Sequence, residues 1–590
     1  MLPGQWGRLP KCCFLVPLRS SGEQTPKKSM THANKKIPNT FVEIDFTALV
    51  RRFFEILPGA LSWGTLIGLS ALAVLLPFWI AVFIIVFDVY ILVRGVYMSV
   101  HLVAAYRRLR LMRGIDWLER CQKVSEDRIR YRAETAMKTA QAKAVGDRHR
   151  AWQFEQLLQH LEEMQSRQQT VMPWHRVHHA VLYPTYNESL SVLETSLNAL
   201  RAASYPAKNL HVVVGFEDRV GTAARERAAA LTARFSGDFA TFLTTFHPDG
   251  LPGERRVKSA NAAWAMQQLE KVLAAKGIGV DQVLVSNFDS DTVISPEYFA
   301  HLTYTFITHP DRYHVSYQPL PMYHNNLWDA PAFSRVIATG STFWQMIEST
   351  RPERLVTFSS HSMTLRALKE VGYWHRDVIS EDSRIFWQCL IHYNGRYRTE
   401  PLYTTVSMDA ALAQSWWQTL VNQYKQKRRW GWGIENFPYF MVEFIRRSQM
   451  PLGTKFIYSL RTLEGHYSWA TAAIIVAGLG WLPIFFGGPQ FQATYLSYSL
   501  PYVARTIMTI AMTGLLISTI LTLLLLPAKP ARVSRWRYVP MVLQWALFPL
   551  IATVLSAFPA LDAESRLMLG RDLEFNVMTK ARREEEEEKI

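Results

Sequence analysis

Apolar residues are unevenly spread along the chain. They run almost unbroken over residues 61–106, return at 467–486, 503–526 and 538–558, and between these blocks give way to short alternating runs. The first block is long enough for two membrane-crossing helices of about 20 residues each, with Pro77 marking the turn between them. Arg51 and Arg52 precede this hairpin and Arg107, Arg108, Arg110 and Arg113 follow it, so the positive-inside bias places both of its ends in the cytoplasm. Asp88 falls within the second span, where a carboxylate is expensive: either it serves a function or it pairs with a neighbouring helix or polar pocket. Near the other end, Lys529, Arg532, Arg535 and Arg537 predict a cytoplasmic loop. Three full crossings would then carry Arg566, Arg571, Lys580, Arg582 and Arg583 to the far side. The pattern therefore leaves two or three carboxyl-terminal spans, and 538–558, with Pro549 inside and Pro559 after it, is the candidate re-entrant segment.

Between about 175 and 403 the pattern becomes AVLYPTYNE, ESLSVLETSLNALRAAS, LHVVVGFED and TAARERAAALTARF, short β-rich runs alternating with helical ones. That predicts βαβ units and a parallel sheet, whose ligands gather at the carboxyl ends of strands. Polar residues sit where the strands should stop: Thr185, Tyr186, Asn187 and Glu188, then Glu217 and Asp218, then Asp289 and Asp291 in NFDSD. Asp289 and Asp291, at i and i+2, suit Mg²⁺ or Mn²⁺ holding a diphosphate, although an isolated Asp-x-Asp is as readily a turn. Lys258 reads either as a point charge over phosphates or as a surface lysine, and Asn261 as a helix-start cap. Glu381 and Asp382 precede an amphipathic run, so they are either first-turn charges or a general base. Gln426, Arg428, Arg429, Trp430 and Trp432 share an interfacial helix; they are membrane anchors or an aromatic platform beside guanidinium groups.

With 590 residues, 49% hydrophobic and 19% charged, the chain has ample apolar material for folded domains. Its formal +16 points away from nucleic acid, because the basic residues cluster beside the apolar blocks. Four cysteines without CxxC spacing indicate neither a disulfide framework nor a thiolate metal site and fit a reducing cytoplasm. The expected divisions are a basic segment 1–57, without the apolar core of a cleavable signal peptide; a membrane hairpin 58–106; a polar helical linker 107–172; an α/β domain 173–410; interfacial helices 411–465; a membrane region 466–560; and a final segment 561–590 ending in an acidic tail.

Taken together, PTYNE, GFED, VKSAN, FDSD, VSYQPLP, ISED and QKRRW, in this order, resemble the membrane-bound family 2 glycosyltransferases, the group of cellulose and hyaluronan synthases. LEFNVMTK near the end is similar to that family's gating segment, through Phe575, Val577 and Thr579, with Met578 as an extra residue. The chain departs from the pattern in having GFED where Asp-Asp-Gly is usual and Ser380 where Thr is usual. The resemblance implies a cytoplasmic GT-A domain, mostly parallel and Rossmann-like, inserted between transmembrane helices of a multi-pass protein of the bacterial inner membrane. It implies inverting transfer from a nucleotide-diphosphate sugar, a UDP-sugar being favoured, to a growing polysaccharide that is exported. Thr185, Tyr186, Asn187, Glu188, Glu217 or Asp218, Lys258, Asn261, Asp289 and Gln318 would then form the donor site, with Asp289 and Asp291 holding Mg²⁺ or Mn²⁺. Asp382 would be the base, beside Glu381, and Gln426, Arg428, Arg429 and Trp430 would hold diphosphate and acceptor. Expected partners are a glycan or lipid acceptor, the bilayer, and accessory subunits or further copies of the chain. The competing readings are single addition to a lipid carrier and an inactive membrane scaffold.

Overall fold

The structure is a computed structural model, and it describes residues 46–573. The basic segment before Phe46 and the gating-like residues Phe575, Val577 and Thr579 lie outside the described residues. Helix α1, Phe46–Leu75, begins well before the boundary expected at 58, and α2, Pro77–Met112, starts on the proline that marked the turn. Both are long and apolar enough to cross a membrane, as are Tyr495–Leu525 and Arg535–Met568. Leu452–Ala477 and Leu479–Phe486 form a pair bent by 45°, giving four or up to five candidate spans among the described residues. The break thus falls in the 467–486 block; the proline-containing 538–558 block continues through a π-helical turn at Thr553–Ala557. Asp88 is buried within the helix assembly instead of facing outward. Ser62 of α1 donates to Glu564 at 2.6 Å and Arg52 donates to the Leu567 carbonyl at 3.1 Å, clasping the two ends of the membrane region together.

Helices α3 (Trp117–Glu126), α4 (Arg128–Ala144) and α5 (Arg148–Ser166) make up the polar segment. Each starts on an aspartate, Asp116, Asp127 and Asp147, whose carboxylate accepts a first-turn N–H at 2.8–3.0 Å. The segment is more than a solvated linker. Cys121, Val124, Leu157 and Leu161 are buried in the main core, and Trp117 stacks on His301 with ring centroids 3.8 Å apart.

The α/β domain is built on strands β1 (His178–Pro184), β2 (Leu210–Glu217), β3 (Thr241–His247), β4 (Val283–Asn287), β5 (Val293–Ile294), β6 (Val315–Met322), β7 (Ser362–Thr364) and β8 (Arg398–Ser407). Their order is β3-β2-β1-β4-β7-β6-β8-β5. The first four are parallel, whereas β7 runs antiparallel to β4 and β6 and β5 antiparallel to β8, so the sheet is mixed. One face is covered by α6 (Leu190–Arg201), α7 (Thr222–Phe235) and α9 (Tyr298–Thr308), through Leu197, Leu231 and Phe299. The other is covered by α8 (Lys258–Ala275) with Met266 and Leu269. Helices α10 (Ala332–Ser349), α11 (Leu365–Glu370) and α12 (Glu381–His392) complete the domain. Then follow α13 (Trp416–Gly431), α14 (Asn436–Arg446) and α15 (Leu452–Ala477).

Asn261 links this framework to the site. Its amide donates to the carbonyls of Gly215, at 2.7 Å, and Thr185, at 3.2 Å, pinning α8 across the ends of β2 and β1. The packing is so close that a Cβ on residue 215 would lie 2.5 Å from Asn261 Oδ1, so glycine is required there. Asn261→Ala should therefore destabilise the protein by about 2 kcal/mol, through buried carbonyls left short of a donor. Thermal melting of the purified protein checks this; an unchanged midpoint would show that the bridge is dispensable.

Candidate active site

The carboxyl ends of β1, β2 and β4 lie along one edge of the sheet, and because β7 is antiparallel, the loop entering it lies there too. At this edge the start of α8, the loop after β4, the loop entering β7 and the start of α12 bring together residues distant in sequence. Lys258, the first residue of α8, points its ammonium at Asp289 Oδ1 (2.7 Å), Glu381 Oε1 (3.2 Å) and Asp382 Oδ1 (3.9 Å). Ser359 donates to the other oxygen of Asp289 at 2.6 Å. His361 Nδ1 lies 3.0 Å from the Phe358 carbonyl and 3.9 Å from Asp382 Oδ1. Ser360 between them has φ of 66°, a strained left-handed conformation for a serine, held by its hydroxyl contact with Thr292 at 3.0 Å.

The electrostatics follow from Lys258 set among three carboxylates, with the charge of Arg429 also reaching Asp382. Burial alone would lower the pKa of Lys258, but Asp289, Asp382 and Glu381 outweigh it and hold the ammonium well above its ordinary value. Glu381 is raised by burial and by the Asp382 charge, against Lys258. Asp382 is also raised, by burial and then Asp289, with Lys258 and Arg429 opposing. The side chain of Asp382 is 26% exposed and that of Glu381 only 4%, so Asp382 is the one that can meet a substrate. A carboxylate with a raised pKa is a stronger base. His361 is driven down to about 4, first by burial, and is a neutral neighbour.

Asp289 and Asp291 part company. Asp289 faces the lysine and is partly open, whereas Asp291 accepts the Asp409 amide at 2.8 Å, and Asn325 bridges the Asp291 carbonyl and Asp409. Among the described residues no group of three His, Cys, Asp or Glu side chains forms a protein-only metal cage. Both oxygens of Asp289 are engaged, one by Lys258 and the other by Ser359, so a hard divalent cation would use Asp289 as a ligand only by displacing one of these contacts.

The remaining expected residues divide by environment. Glu188 accepts from the Thr185 hydroxyl and the Tyr186 amide, both at 2.7 Å, and so shapes the loop after β1. Asn187 is bonded by Arg227 at 3.2 Å. Glu217 is buried and bound by Arg219, whose guanidinium lies 4.5 Å above the Tyr186 ring; burial raises the Glu217 carboxyl, against Arg219. Asp218 points outward to Arg225. A recess of about 100 Å³ is lined by Glu217, Arg219, His247, Asp249, Arg256 and Val257, the residue before Lys258. Gln318 is buried and grips the β7 entrance loop, accepting the Phe358 amide at 2.7 Å and donating to the Ser359 carbonyl at 3.2 Å.

On α13, the charge of Arg429 acts on Asp382 and Tyr323, lowering both against burial, and Trp430 meets Phe358 edge-on at 6.2 Å. Gln426 accepts from Gln423 at 2.9 Å, while Arg428 turns away to pair with Asp562 at 2.9 Å. Lys427, passed over in the sequence, places its ammonium 4.7 Å from the Trp430 ring centroid and 5.6 Å from that of Trp469 on α15, and burial lowers it to about 8. Ser359, His361 and Phe358 were also missed. They precede a strand of three residues that shows no alternation, and only its antiparallel pairing brings their loop to the site.

Residues 284–559, from β4 through the membrane region, match the family described as Glycosyl transferase family group 2. The match covers a little under half of the chain, and apolar helices long enough to cross a membrane precede and follow the α/β domain in sequence. No curated protein matches it. Among solved structures, the mannosyltransferase PcManGT from Pyrobaculum calidifontis, in complex with GDP-Man and Mn²⁺, is 16% identical over 67% of this chain and 94% of its own, with a TM-score of 0.32. TarS 1-349 from S. aureus is 14% identical over 58% of this chain and 90% of its own, with a TM-score of 0.31. The same protein in complex with UDP-GlcNAc is 12% identical over 68% and 94%, also at 0.31.

Proposed function

We propose that this protein is an inverting glycosyltransferase that takes a sugar from a nucleotide diphosphate at the cytoplasmic face and adds it to a growing polysaccharide passed into the membrane. The observation that carries this reading is the gathering of Asp289, Glu381 and Asp382 around Lys258, with Arg429 and Trp430 facing the same edge. Lys258 and Arg429 neutralise the charge that accumulates on a departing diphosphate. Asp382 removes the proton from the attacking hydroxyl. Glu217 and Tyr186 flank the recess beside Lys258, the side on which a nucleoside would lie, and UDP-sugars are the favoured donors. Asp289, supported by Asp291, would hold Mg²⁺ or Mn²⁺, whose chemistry is to neutralise the donor phosphates. The rings of Trp430 and Trp469, both beside the Lys427 ammonium, would supply aromatic surfaces for a sugar of the acceptor.

The test is a panel of radiolabelled nucleotide sugars on inverted membrane vesicles with Mg²⁺ or Mn²⁺, sizing the product. A long polymer supports the reading. Label confined to a small lipid-extractable species means single addition to a carrier, and no transfer from any donor means an inactive scaffold. Trp430→Ala should lower elongation about tenfold, the loss of roughly 1.4 kcal/mol of acceptor stacking, while donor hydrolysis stays within about twofold. Equal loss of both would remove Trp430 from the acceptor side.

A further inference from the structure

The first turn of α12 is held in an unusual way. Ser380 occupies its N-cap position, where a serine hydroxyl ordinarily accepts a helix N–H, yet here it makes no such bond. It donates instead to Glu435 Oε1 at 2.5 Å, and the Ser380 backbone N–H donates to the same oxygen at 3.1 Å. The carboxylate of Glu435 thus anchors the N-cap residue itself from outside the helix, at the end where negative charge is favoured. Its second oxygen accepts from the Trp432 indole at 2.8 Å. Asn436 reinforces the junction, donating to Ser380 Oγ at 3.2 Å and Ser383 Oγ at 2.9 Å. Arg384 completes it by donating to Asn436, with its guanidinium 4.1 Å from the Tyr439 ring centroid.

The two residues that follow Ser380 are Glu381 and Asp382, and Trp432 follows directly on α13, which carries Gln426, Arg429 and Trp430. We propose that Glu435 is the positioning residue of the Glu381–Asp382 turn, tying the proton acceptor to the end of the helix that carries the acceptor-side residues. It touches no substrate; it fixes where Asp382 stands relative to Arg429 and Trp430. The inference rests on the proposed transferase reading and adds to it a physical link between base and acceptor platform.

The experiment compares Glu435→Ala, Glu435→Gln, Ser380→Ala and the Ser380→Ala/Glu435→Ala double variant, each full-length in membranes, by initial rates on the donor that the wild type uses. Glu435→Ala should lower kcat about 30-fold, as expected for a displaced catalytic group, with the donor KM within about twofold. Glu435→Gln keeps an acceptor oxygen for Ser380 and should return to within about fivefold of wild type. The double variant should be no slower than Glu435→Ala, because both changes cut one link. A Glu435→Ala kcat within about threefold of wild type, a donor KM rising in step with the loss of kcat, or losses that multiply in the double variant would each overturn the proposal. Should Glu435→Ala fail to fold, Glu435→Gln, Ser380→Ala and the Ser380→Ala/Glu435→Gln double variant form the cycle in its place. A wild type inactive on every donor sinks the transferase reading and this inference together. An active wild type, inactive Asp382→Asn and normal Glu435 variants sink this inference alone.

Discussion

Asp382→Asn is expected to lower sugar transfer about 10³-fold while leaving donor affinity within about twofold of wild type, since a general base contributes that order of rate and the change removes only the proton acceptor. The shape of asparagine preserves the packing around Lys258, so the diphosphate side of the site stays intact. The pH dependence gives a second signature. Burial and the neighbouring Asp289 carboxylate raise the pKa of Asp382, so in the wild type transfer falls as pH drops through a value above the ordinary aspartate range and recovers as pH rises. The variant should lack that limb. Stability moves the other way: a carboxyl whose folded pKa is raised binds its proton more tightly in the folded state, so its charge costs stability above that pKa. Asp382→Asn should therefore melt no lower than wild type at pH 8. Turnover near the wild-type rate would remove Asp382 from the base position, and a lowered melting point would attribute the loss to misfolding.

The parts of this site legible in the sequence are those where local pattern and function coincide. Glu217, Asp289 and Asp291 follow apolar strand runs, so their place at strand ends could be read from alternation alone, and Pro77 announced the break between α1 and α2. Asn261 has a different use from the cap expected of it, because its amide bridges two carbonyls that only the parallel pairing of β1 and β2 brings side by side. Gln318 sits in a motif resembling a donor-site element, yet its side chain is spent on the loop at Phe358 and Ser359. Arg428 looks equivalent to Arg429 in sequence; the helical step between them pairs Arg428 with Asp562 and leaves Arg429 as the one whose charge acts on Asp382. The reversal of β7 was hidden, because a strand of three residues is too short for period-two patterning to show its direction. The packing of α3 and α5 against the core was hidden for a related reason: their many charged residues mask a narrow buried stripe that includes Cys121 and Leu161.

The same clustering makes Lys258 the residue on which the site's own stability turns. Its side chain is 13% exposed and is the common partner of Asp289, Glu381 and Asp382, so Lys258→Met leaves three neighbouring carboxylates without their cation. Removing one partner of a buried ion pair costs about 3–5 kcal/mol, because an uncompensated charge remains. That penalty should depend on pH in a defined sense. Lys258 itself, held above its ordinary value, stays protonated from pH 5 to pH 9, so its titration adds no slope in that window. The slope in the variant comes from the carboxylates. Glu381 and Asp382 are already raised, and without the lysine they rise further, so the folded chain holds more protons than the unfolded one and stability increases as pH falls. The deficit should be largest near pH 8 and shrink toward pH 5.5. Lys258→Arg would keep the charge but force a planar fork into a position shaped for a point charge, so only partial recovery is expected. Melting curves of wild type and Lys258→Met at both pH values decide the matter. A deficit equal at the two would mean that the lysine acts through packing and that the three carboxylates share their charge with other groups.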